Sequence, residues 1–197
     1  MTEAKTLILA SKSAARRALL TGAGVPFTVQ VADVDEDALK TPGVDPASLA
    51  EDLARAKALA VSAQRPEALV LGADQTLAFD GGLVSKAPDL EAARARLVAM
   101  RGRSHQLHSG AALALGGQIL WSGVDTVQMR MRDYSNAFLD AYLAAEGSEL
   151  LACVGSYRLE GMGSQLFAEV EGDYFTVLGL PLWPVLDQLR KAGVILS

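Results

Sequence analysis

The segment Val70-Leu71-Gly72-Ala73-Asp74-Gln75-Thr76 decides the fold class, because an apolar run ends there and polar residues follow at once. The run from Leu69 to Ala73 predicts a buried strand, with Asp74 at its carboxyl end. Open α/β sheets bind their ligands in the crevice outside the carboxyl ends of their strands. Asp74 is therefore the first candidate for chemistry, although a carboxylate at this place can also serve only as the cap of a turn or helix.

Strand and helix signals alternate along the rest of the chain. Apolar runs predict further strands at 6–10, 27–32, 106–115, 119–131, 165–170 and 174–178. Capped amphipathic stretches predict helices at 14–20, 46–62, 90–100, 136–146 and after Pro181. No repeat or composition break marks a linker. We therefore predict one α/β domain over residues 1–197, with a mixed, twisted sheet flanked by helices and two lobes around a deep cleft.

Composition limits the functions that the chain can have. Its 197 residues are 50% hydrophobic and 21% charged, which is typical of a folded globular protein. A formal net charge of −5 argues against a general basic surface for a nucleic acid polymer. Cys153 is the only cysteine, so an intrachain disulfide is excluded and a reducing compartment, the cytoplasm, is expected. No apolar run reaches the roughly 20 residues of a membrane span, and the start lacks a signal peptide pattern.

Hydroxyl and basic side chains precede the first predicted helix. Ser11 and Ser13 stand at its amino end, and Arg16 lies in its first turn. A helix amino terminus has free N–H groups and a positive dipole, so these residues can form a phosphate site. The alternative is a serine-capped helix with a solvated arginine.

Carboxylates cluster in an acidic turn at Asp33, Asp35 and Glu36. Oxygen ligands of this kind suit a hard divalent cation such as Mg²⁺ or Mn²⁺. The turn by itself is more typical of a solvated surface. Only a partner carboxylate such as Asp74 would favour the metal site.

Three further features are weak when taken alone. Lys57 lies among alanines in a predicted helix, and Lys86 follows the turn signal Asp80-Gly81-Gly82, so both suit exposed lysines. The segment 155–163 is rich in glycine and contains Glu160, which allows close approach of the backbone to a ligand. It has neither the Walker nor the dinucleotide spacing, and the alternative is an ordinary loop.

Taken together, these segments resemble the Maf family, also called septum formation inhibitor proteins, whose members are nucleoside triphosphate pyrophosphatases. The ordered matches are Leu-Ala-Ser-x-Ser at 9–13 with the arginines at 16–17, Val-Asp-Glu at 34–36, Lys-Ala at 57–58, Gly-x-Asp-Gln at 72–75, Ser-Lys-Ala at 85–87, Gly-x-x-His at 102–105 and Val-x-Gly-Leu-Pro at 177–181. Two departures are Ala14 and Ala87, which replace family prolines without removing a charge.

The resemblance also bears on the nucleotide. Gln75 and Glu160 are similar to the residues of the family branch that acts on 7-methyl-GTP, whereas the dTTP and UTP branch has Thr and Gln at these places. The N7-methylated purine is positively charged, so a carboxylate such as Glu160 would favour it. Ala15 cannot stack on a base, although the 7-methyl-GTP branch can carry an aromatic residue there.

The resemblance implies hydrolysis of the α–β phosphoanhydride with a divalent metal cofactor. Asp74 would accept the proton of the attacking water, Glu36 and Asp74 would hold the metal, and Lys86 would assist catalysis. The implied substrate-binding residues are Ser11, Ser13, Arg16, Lys57, Gln75 and Glu160. Besides the nucleotide substrate, the resemblance implies a second copy of the chain as partner, in a homodimer. The alternatives are a dTTP or UTP pyrophosphatase of the same family, an inosine- or xanthosine-triphosphate pyrophosphatase, and a non-catalytic nucleotide-sensing regulator of cell division.

Overall fold

The computed structural model describes residues 6–196, in which seven strands and six α-helices are found. The strands are β1 (Leu7–Leu9), β2 (Thr28–Val29), β3 (Leu69–Phe79), β4 (Gly82–Val84), β5 (Ser104–Leu115), β6 (Gln118–Met131) and β7 (Phe167–Glu171). The helices are α1 (Ala14–Gly22), α2 (Pro46–Ser62), α3 (Leu90–Met100), α4 (Asn136–Glu146), α5 (Tyr174–Val177) and α6 (Leu182–Lys191). No helix in this part of the chain combines the length and the apolar character that crossing a membrane requires.

The strands form one mixed sheet in the order β2-β1-β3-β5-β6-β7, and β4 pairs with β3. β1 is parallel to both β2 and β3, whereas the β3–β4 and β6–β7 pairs are antiparallel. Parallel and antiparallel pairs in one sheet, together with helices that connect the strands, confirm the predicted mixed α/β fold.

The chain divides into two compact units. The first unit contains the described residues up to Gln75, His108–Asp125 and the residues from Asp173 onward. The second unit contains Thr76–Leu107 and Thr126–Gly172. Each unit is therefore built from chain segments that are distant in sequence.

Helix α2 lies unusually close to the sheet within the first unit. A Cβ atom at Gly72 on β3 would lie 2.1 Å from the carbonyl oxygen of Ala54, and one at Gly110 on β5 would lie 2.2 Å from that of Ala50. Only glycine leaves room for a helix backbone at this separation. The two glycines thus fix the height of α2 above the strands.

Local signals placed most of the helix boundaries correctly. Asp45 accepts a hydrogen bond from the backbone N–H of Ser48 at 2.8 Å, and Pro46 is the first residue of α2. Asp89 and Ser135 cap α3 and α4 in the same way. Asp80 and Gly81, with φ angles of 54° and 74°, form the predicted tight turn between β3 and β4.

Two predicted strands differ in length from those in the structure, and one predicted strand is absent. The run at 27–32 pairs only at β2, with two residues. The stretch 174–178 is not a strand, because Asp173 caps the short helix α5 through the N–H of Thr176 at 3.0 Å. This cap outweighs the strand preference of the aromatic and β-branched residues. Finally, β3 does not end before Asp74 but continues to Phe79, because its second half pairs with β4.

An aromatic cluster lies in the core of the second unit. His105 Nε2 is 2.6 Å from the hydroxyl oxygen of Tyr157, and the Tyr157 ring meets that of Phe167 edge-on. His105 Nδ1 is buried and forms no hydrogen bond with any residue that the structure describes. Burial lowers the pKa of His105 to about 4 and raises that of Tyr157. The pair is therefore neutral near pH 7.

Candidate active site

Lys57 joins two carboxylates in the first unit. Its Nζ atom lies 2.7 Å from Oε1 of Glu36 and 2.9 Å from Oδ1 of Asp74. The Lys57 and Asp74 side chains are only 12% and 15% exposed, and that of Glu36 is 43% exposed. Instead of extending into solvent, this lysine fixes two acidic side chains that are far apart in sequence.

The position of Asp74 follows from how the strands pair. β1 runs parallel to β3 only as far as the pair Leu9 and Leu71, and the N–H of Ala10 donates to the carbonyl of Leu71. Asp74 lies beyond this pairing, although β3 itself continues. β3 therefore does not end at Asp74, as the sequence predicted. Asp74 does lie beyond the point where the parallel strand β1 stops pairing with β3.

Arg16 is a buried cation in this unit, with 7% of its surface exposed. Its Nε donates to the carbonyl of Gly179 at 2.7 Å, and its Nη1 donates to Oγ of Ser11 at 3.1 Å. Burial lowers the pKa of Arg16, and the charges of Asp74 and Glu36 oppose this shift. The guanidinium therefore interacts electrostatically with Asp74 and Glu36, the two carboxylates that, together with Lys57, form what we call the Lys57 cluster.

The two serines of the phosphate motif have local roles in the fold. Ser13 caps α1 by accepting from the backbone N–H of Arg16 at 3.4 Å, and Ser11 accepts from the N–H of Ser13 at 3.3 Å. The capping interpretation is therefore confirmed for Ser13. Ser11 accepts both from the backbone of Ser13 and from the side chain of Arg16.

Gln75 is held by residues of the same unit that are distant in sequence. Its amide nitrogen lies 3.0 Å from each of three acceptors, which are Oγ of Ser109 and the carbonyls of Thr176 and Val177. Ser109 is fully buried and donates to the carbonyl of Thr176 at 2.8 Å. The amide group of Gln75 thus fixes the chain just before Gly179, which in turn accepts from Arg16.

The two carboxylates that contact Lys57 suit a hard cation that takes only one or two ligands from the protein. Asp35 does not join it, because its carboxylate accepts from the N–H of Ala38 at 3.2 Å. Within residues 6–196 no group of three or more His, Cys, Asp or Glu is placed to hold a metal ion. Glu36 and Asp74 do converge on one ammonium. Mg²⁺ is commonly bound by one or two carboxylates together with substrate phosphates, so these two side chains suit such an ion.

Two predicted residues, Lys86 and Glu160, belong to the second unit. Lys86 is exposed in the loop between β4 and α3. Oε1 of Glu160 lies 3.4 Å from Nε of Arg158, whose Nη1 is 3.4 Å from Oε2 of Glu146. Burial raises the pKa of Cys153, and Glu160, Arg158 and Lys86 are among the charges that act on this thiol. Both predicted residues therefore lie near Cys153.

Sequence reasoning missed three residues that shape these groups. Ser109 and Gly179 hold Gln75 and Arg16, and Arg96 of α3 contacts the loops of Lys86 and of segment 155–163. Gly179 lies in a motif that was noted, and its φ of 98° explains the glycine. For Ser109 and Arg96 no local pattern indicates the contact. Ala15, on α1, is partly buried.

A partly buried cluster of two carboxylates, a lysine and an arginine suits a hydrolase of phosphate anhydrides, because it combines a proton acceptor with cationic phosphate ligands. Residues 6–192 match the family described as Maf-like protein, and the chain belongs to that family. A nucleoside triphosphate pyrophosphatase of Maricaulis maris is 50% identical, over 95% of this chain and 97% of the relative. A 7-methyl-GTP pyrophosphatase of Mesorhizobium japonicum is 48% identical, over 96% and 97%, respectively.

These relatives confirm the class of enzyme that the sequence predicted, a hydrolase acting on acid anhydrides. A second 7-methyl-GTP pyrophosphatase, from Brucella suis, is 46% identical over 96% of this chain and 97% of the relative. The relatives differ in the nucleotide that their names give. The choice of nucleotide is therefore part of the proposal that follows.

Proposed function

We propose that the chain hydrolyses 7-methyl-GTP at the α–β phosphoanhydride and releases 7-methyl-GMP and pyrophosphate. The observation that carries the proposal is the Lys57 ammonium, 2.7 Å from Glu36 and 2.9 Å from Asp74. It fixes two carboxylates beside a buried arginine, in a chain of the Maf family. This arrangement supplies both a proton acceptor and charge for a triphosphate.

Asp74 acts as the general base. Its carboxylate accepts a proton from water, and the oxygen of that water attacks the α-phosphorus while the bond to the bridging oxygen of pyrophosphate breaks. Lys57 holds one oxygen of Asp74 in place, so the second oxygen is directed to the water. A positioned base of this kind contributes about 10² to 10⁴ in rate.

Glu36 and Asp74 are the side chains that would hold a divalent cation, which when bound neutralises charge on the departing pyrophosphate. Glu36 is the more exposed of the two carboxylates, so it is accessible to an ion that arrives with the nucleotide. Lys57 keeps the two carboxylates together without the ion. We expect removal of divalent cations to abolish turnover and to leave the fold intact.

Cationic and hydroxyl groups bind the phosphate oxygens. The guanidinium of Arg16 carries five N–H donors, of which the bonds to Gly179 and Ser11 engage two, so it can also donate to a phosphate. Lys57 has three donors, of which the carboxylates engage two. Lys86 is exposed and acts as a point charge. Ser11 and Ser13 add hydroxyl groups at the start of α1.

Two residues support 7-methyl-GTP over other nucleotides. Glu160 provides a carboxylate for the positive charge of the N7-methylated purine, and Arg158 orients that carboxylate from 3.4 Å. Gln75 stands where the dTTP and UTP branch has Thr, and the three acceptors on its amide nitrogen leave only its oxygen for a ligand. The names of the Mesorhizobium and Brucella relatives agree with this choice.

The test is a panel of nucleoside triphosphates with Mg²⁺ or Mn²⁺, compared by kcat/KM. We expect 7-methyl-GTP to lead the panel and Glu160→Gln to lower its kcat/KM about tenfold or more, with a smaller loss on UTP. Glu169→Gln is the matched control, because Glu169 forms an exposed ion pair with Arg130 in the same unit. An equal loss on both nucleotides would remove the charge argument, and preference for dTTP or UTP would assign the chain to the other branch.

A further inference from the structure

Arg96 connects two loops of the second unit through one guanidinium. Its Nη2 donates to the carbonyl of Ser85 at 2.5 Å. Its Nη1 donates to the carbonyl of Val154 at 2.7 Å and to Oγ of Ser156 at 3.2 Å. Ser85 directly precedes Lys86, and Val154 opens the segment that leads to Glu160. The same side chain thus contacts the backbone next to Lys86 and the start of the segment that leads to Glu160.

The loop of Lys86 has little regular structure of its own. The last pair of β4 joins Val84 to Leu77, and α3 begins only at Leu90. The backbone of Ser85 and Lys86 therefore lies outside the sheet ladder and outside the helix. A hydrogen bond to the Ser85 carbonyl is a contact that can fix where the exposed ammonium of Lys86 points.

The second loop is tight and needs the same support. Ser156 is fully buried and has a φ of 58°, which is uncommon for a residue with a side chain. A Cβ atom at Gly155 would lie 2.2 Å from the ring of Tyr157. A turn of this shape persists only where its surroundings hold it, and Arg96 contacts it at both Val154 and Ser156.

The chemistry of the arginine matters here. Arg96 is half-buried, and burial lowers the pKa of its guanidinium. Three acceptors compensate for the lost water. The acceptors lie on two loops, and a planar fork can donate to both at once, whereas a lysine ammonium is a single point charge. The geometry is therefore specific to arginine.

We propose that Arg96 is a positioning residue for Lys86, which it holds by fastening the Ser85–Lys86 backbone to the loop at 154–156. The inference rests on the proposed function, in which Lys86 binds a phosphate oxygen. It adds that the affinity of this lysine for phosphate depends on a helix residue that does not itself contact the nucleotide.

The test is a double-mutant cycle measured with the best nucleotide of the panel. Arg96→Met should raise KM about tenfold and change kcat far less. The reason is that the lost phosphate contact stabilises the bound substrate and the transition state to the same extent. Lys86→Met should raise KM at least as much. The double variant should be no worse than Lys86→Met alone, because both changes remove the same contact. Arg94 lies on the same helix as Arg96, and Arg94→Met, which removes an exposed ion pair with Asp140 of α4, should leave KM unchanged.

The variant Arg96→Lys tests the fork while keeping the charge and most of the side-chain stem. We expect it to raise KM as Arg96→Met does; parent KM values in Arg96→Lys would overturn the proposal. Additive effects in the cycle would also overturn it, since a general loss of structure adds to the loss of Lys86. If no triphosphate is hydrolysed by the parent enzyme, the proposed function fails instead. If the parent is active and Lys86→Met raises KM but Arg96→Met does not, the proposed role of Arg96 fails and that of Lys86 stands.

Discussion

The two units fix their functional side chains in different ways. In the first unit, Asp74 lies on a strand and Lys57 on a helix, and glycine at 72 lets the helix backbone approach the strand. In the second unit, Lys86 and Glu160 lie in loops, and arginines hold the backbone or the carboxylate. Residues on regular elements can be placed more accurately than residues on loops. In the proposed function, the residues of the chemical step therefore belong to the first unit, and Lys86 and Glu160, which would recognise the nucleotide, belong to the second.

This contrast predicts two kinds of mutational effect. Changes in the Lys57 cluster should act on kcat, because they remove or displace the proton acceptor. Changes in the loops of the second unit should act on KM and on the choice of nucleotide, as we expect for Arg96→Met and Glu160→Gln. A mutation that affected the wrong parameter would show that the division is incorrect.

The largest effect is expected for Asp74→Asn. Asparagine keeps the size of the side chain and can still accept from Lys57, but it cannot take a proton from water. We expect kcat to fall by about 10² to 10⁴, with KM little changed. Asp52→Asn, on the exposed side of α2, is the control and should retain parent activity. Near-parent turnover in Asp74→Asn would show that another group is the base.

A second effect concerns the aromatic cluster of the second unit. His105 has a folded-state pKa of about 4 and an unfolded value of 6.5, so the unfolded chain binds a proton first as the pH falls. Burial of the neutral imidazole therefore contributes fully to the free energy of unfolding above pH 6.5. This contribution, about 3 kcal/mol, is lost as the pH falls from 6.5 to 4.

Urea unfolding across this pH window measures the effect. The free energy of unfolding of the parent should fall more steeply with decreasing pH than that of His105→Gln. The pH slope is compared rather than the absolute stability, because the substitution also changes the contact with Tyr157. Parallel slopes for the two proteins would show that burial of the neutral imidazole does not contribute.

A smaller effect is expected for Gly72→Ala. The added methyl group would meet the backbone of α2 at Ala54, so the helix must move away from β3. We expect a loss of about 1–3 kcal/mol in the free energy of unfolding, together with a fall in kcat, because Lys57 moves with the helix. Gly22→Ala is the matched control, since a Cβ there has open space and alanine favours a helix.

If Gly72→Ala lost stability but kept parent kcat, the close approach of α2 would matter for folding alone. That outcome would break the link between the regular elements of the first unit and the position of Lys57.

Local sequence was sufficient where a residue determines its own neighbourhood. Asp45-Pro46 marked the start of α2, and the turn at Asp80 was evident from its two glycines. Local signals failed where tertiary pairing decides, as for the second half of β3, which β4 holds in strand form. Tyr174–Val177 became helical because Asp173 caps it.

The site shows the same division. Asp74 and Glu36 were predicted from their residue type and from family resemblance. The Lys57 bridge between them, and the contacts of Gln75 with Thr176 and Val177, join residues that are 17 to 102 positions apart. No local pattern encodes such contacts, because they depend on how the whole sheet is assembled.

The most direct test of the central claim is to follow hydrolysis of 7-methyl-GTP in water enriched in a heavy oxygen isotope, with mass spectrometry of the products. Attack on the α-phosphorus places the heavy oxygen in 7-methyl-GMP and leaves pyrophosphate unlabelled, which is the predicted result. Heavy oxygen in pyrophosphate, or release of 7-methyl-GDP with labelled inorganic phosphate, would contradict the account.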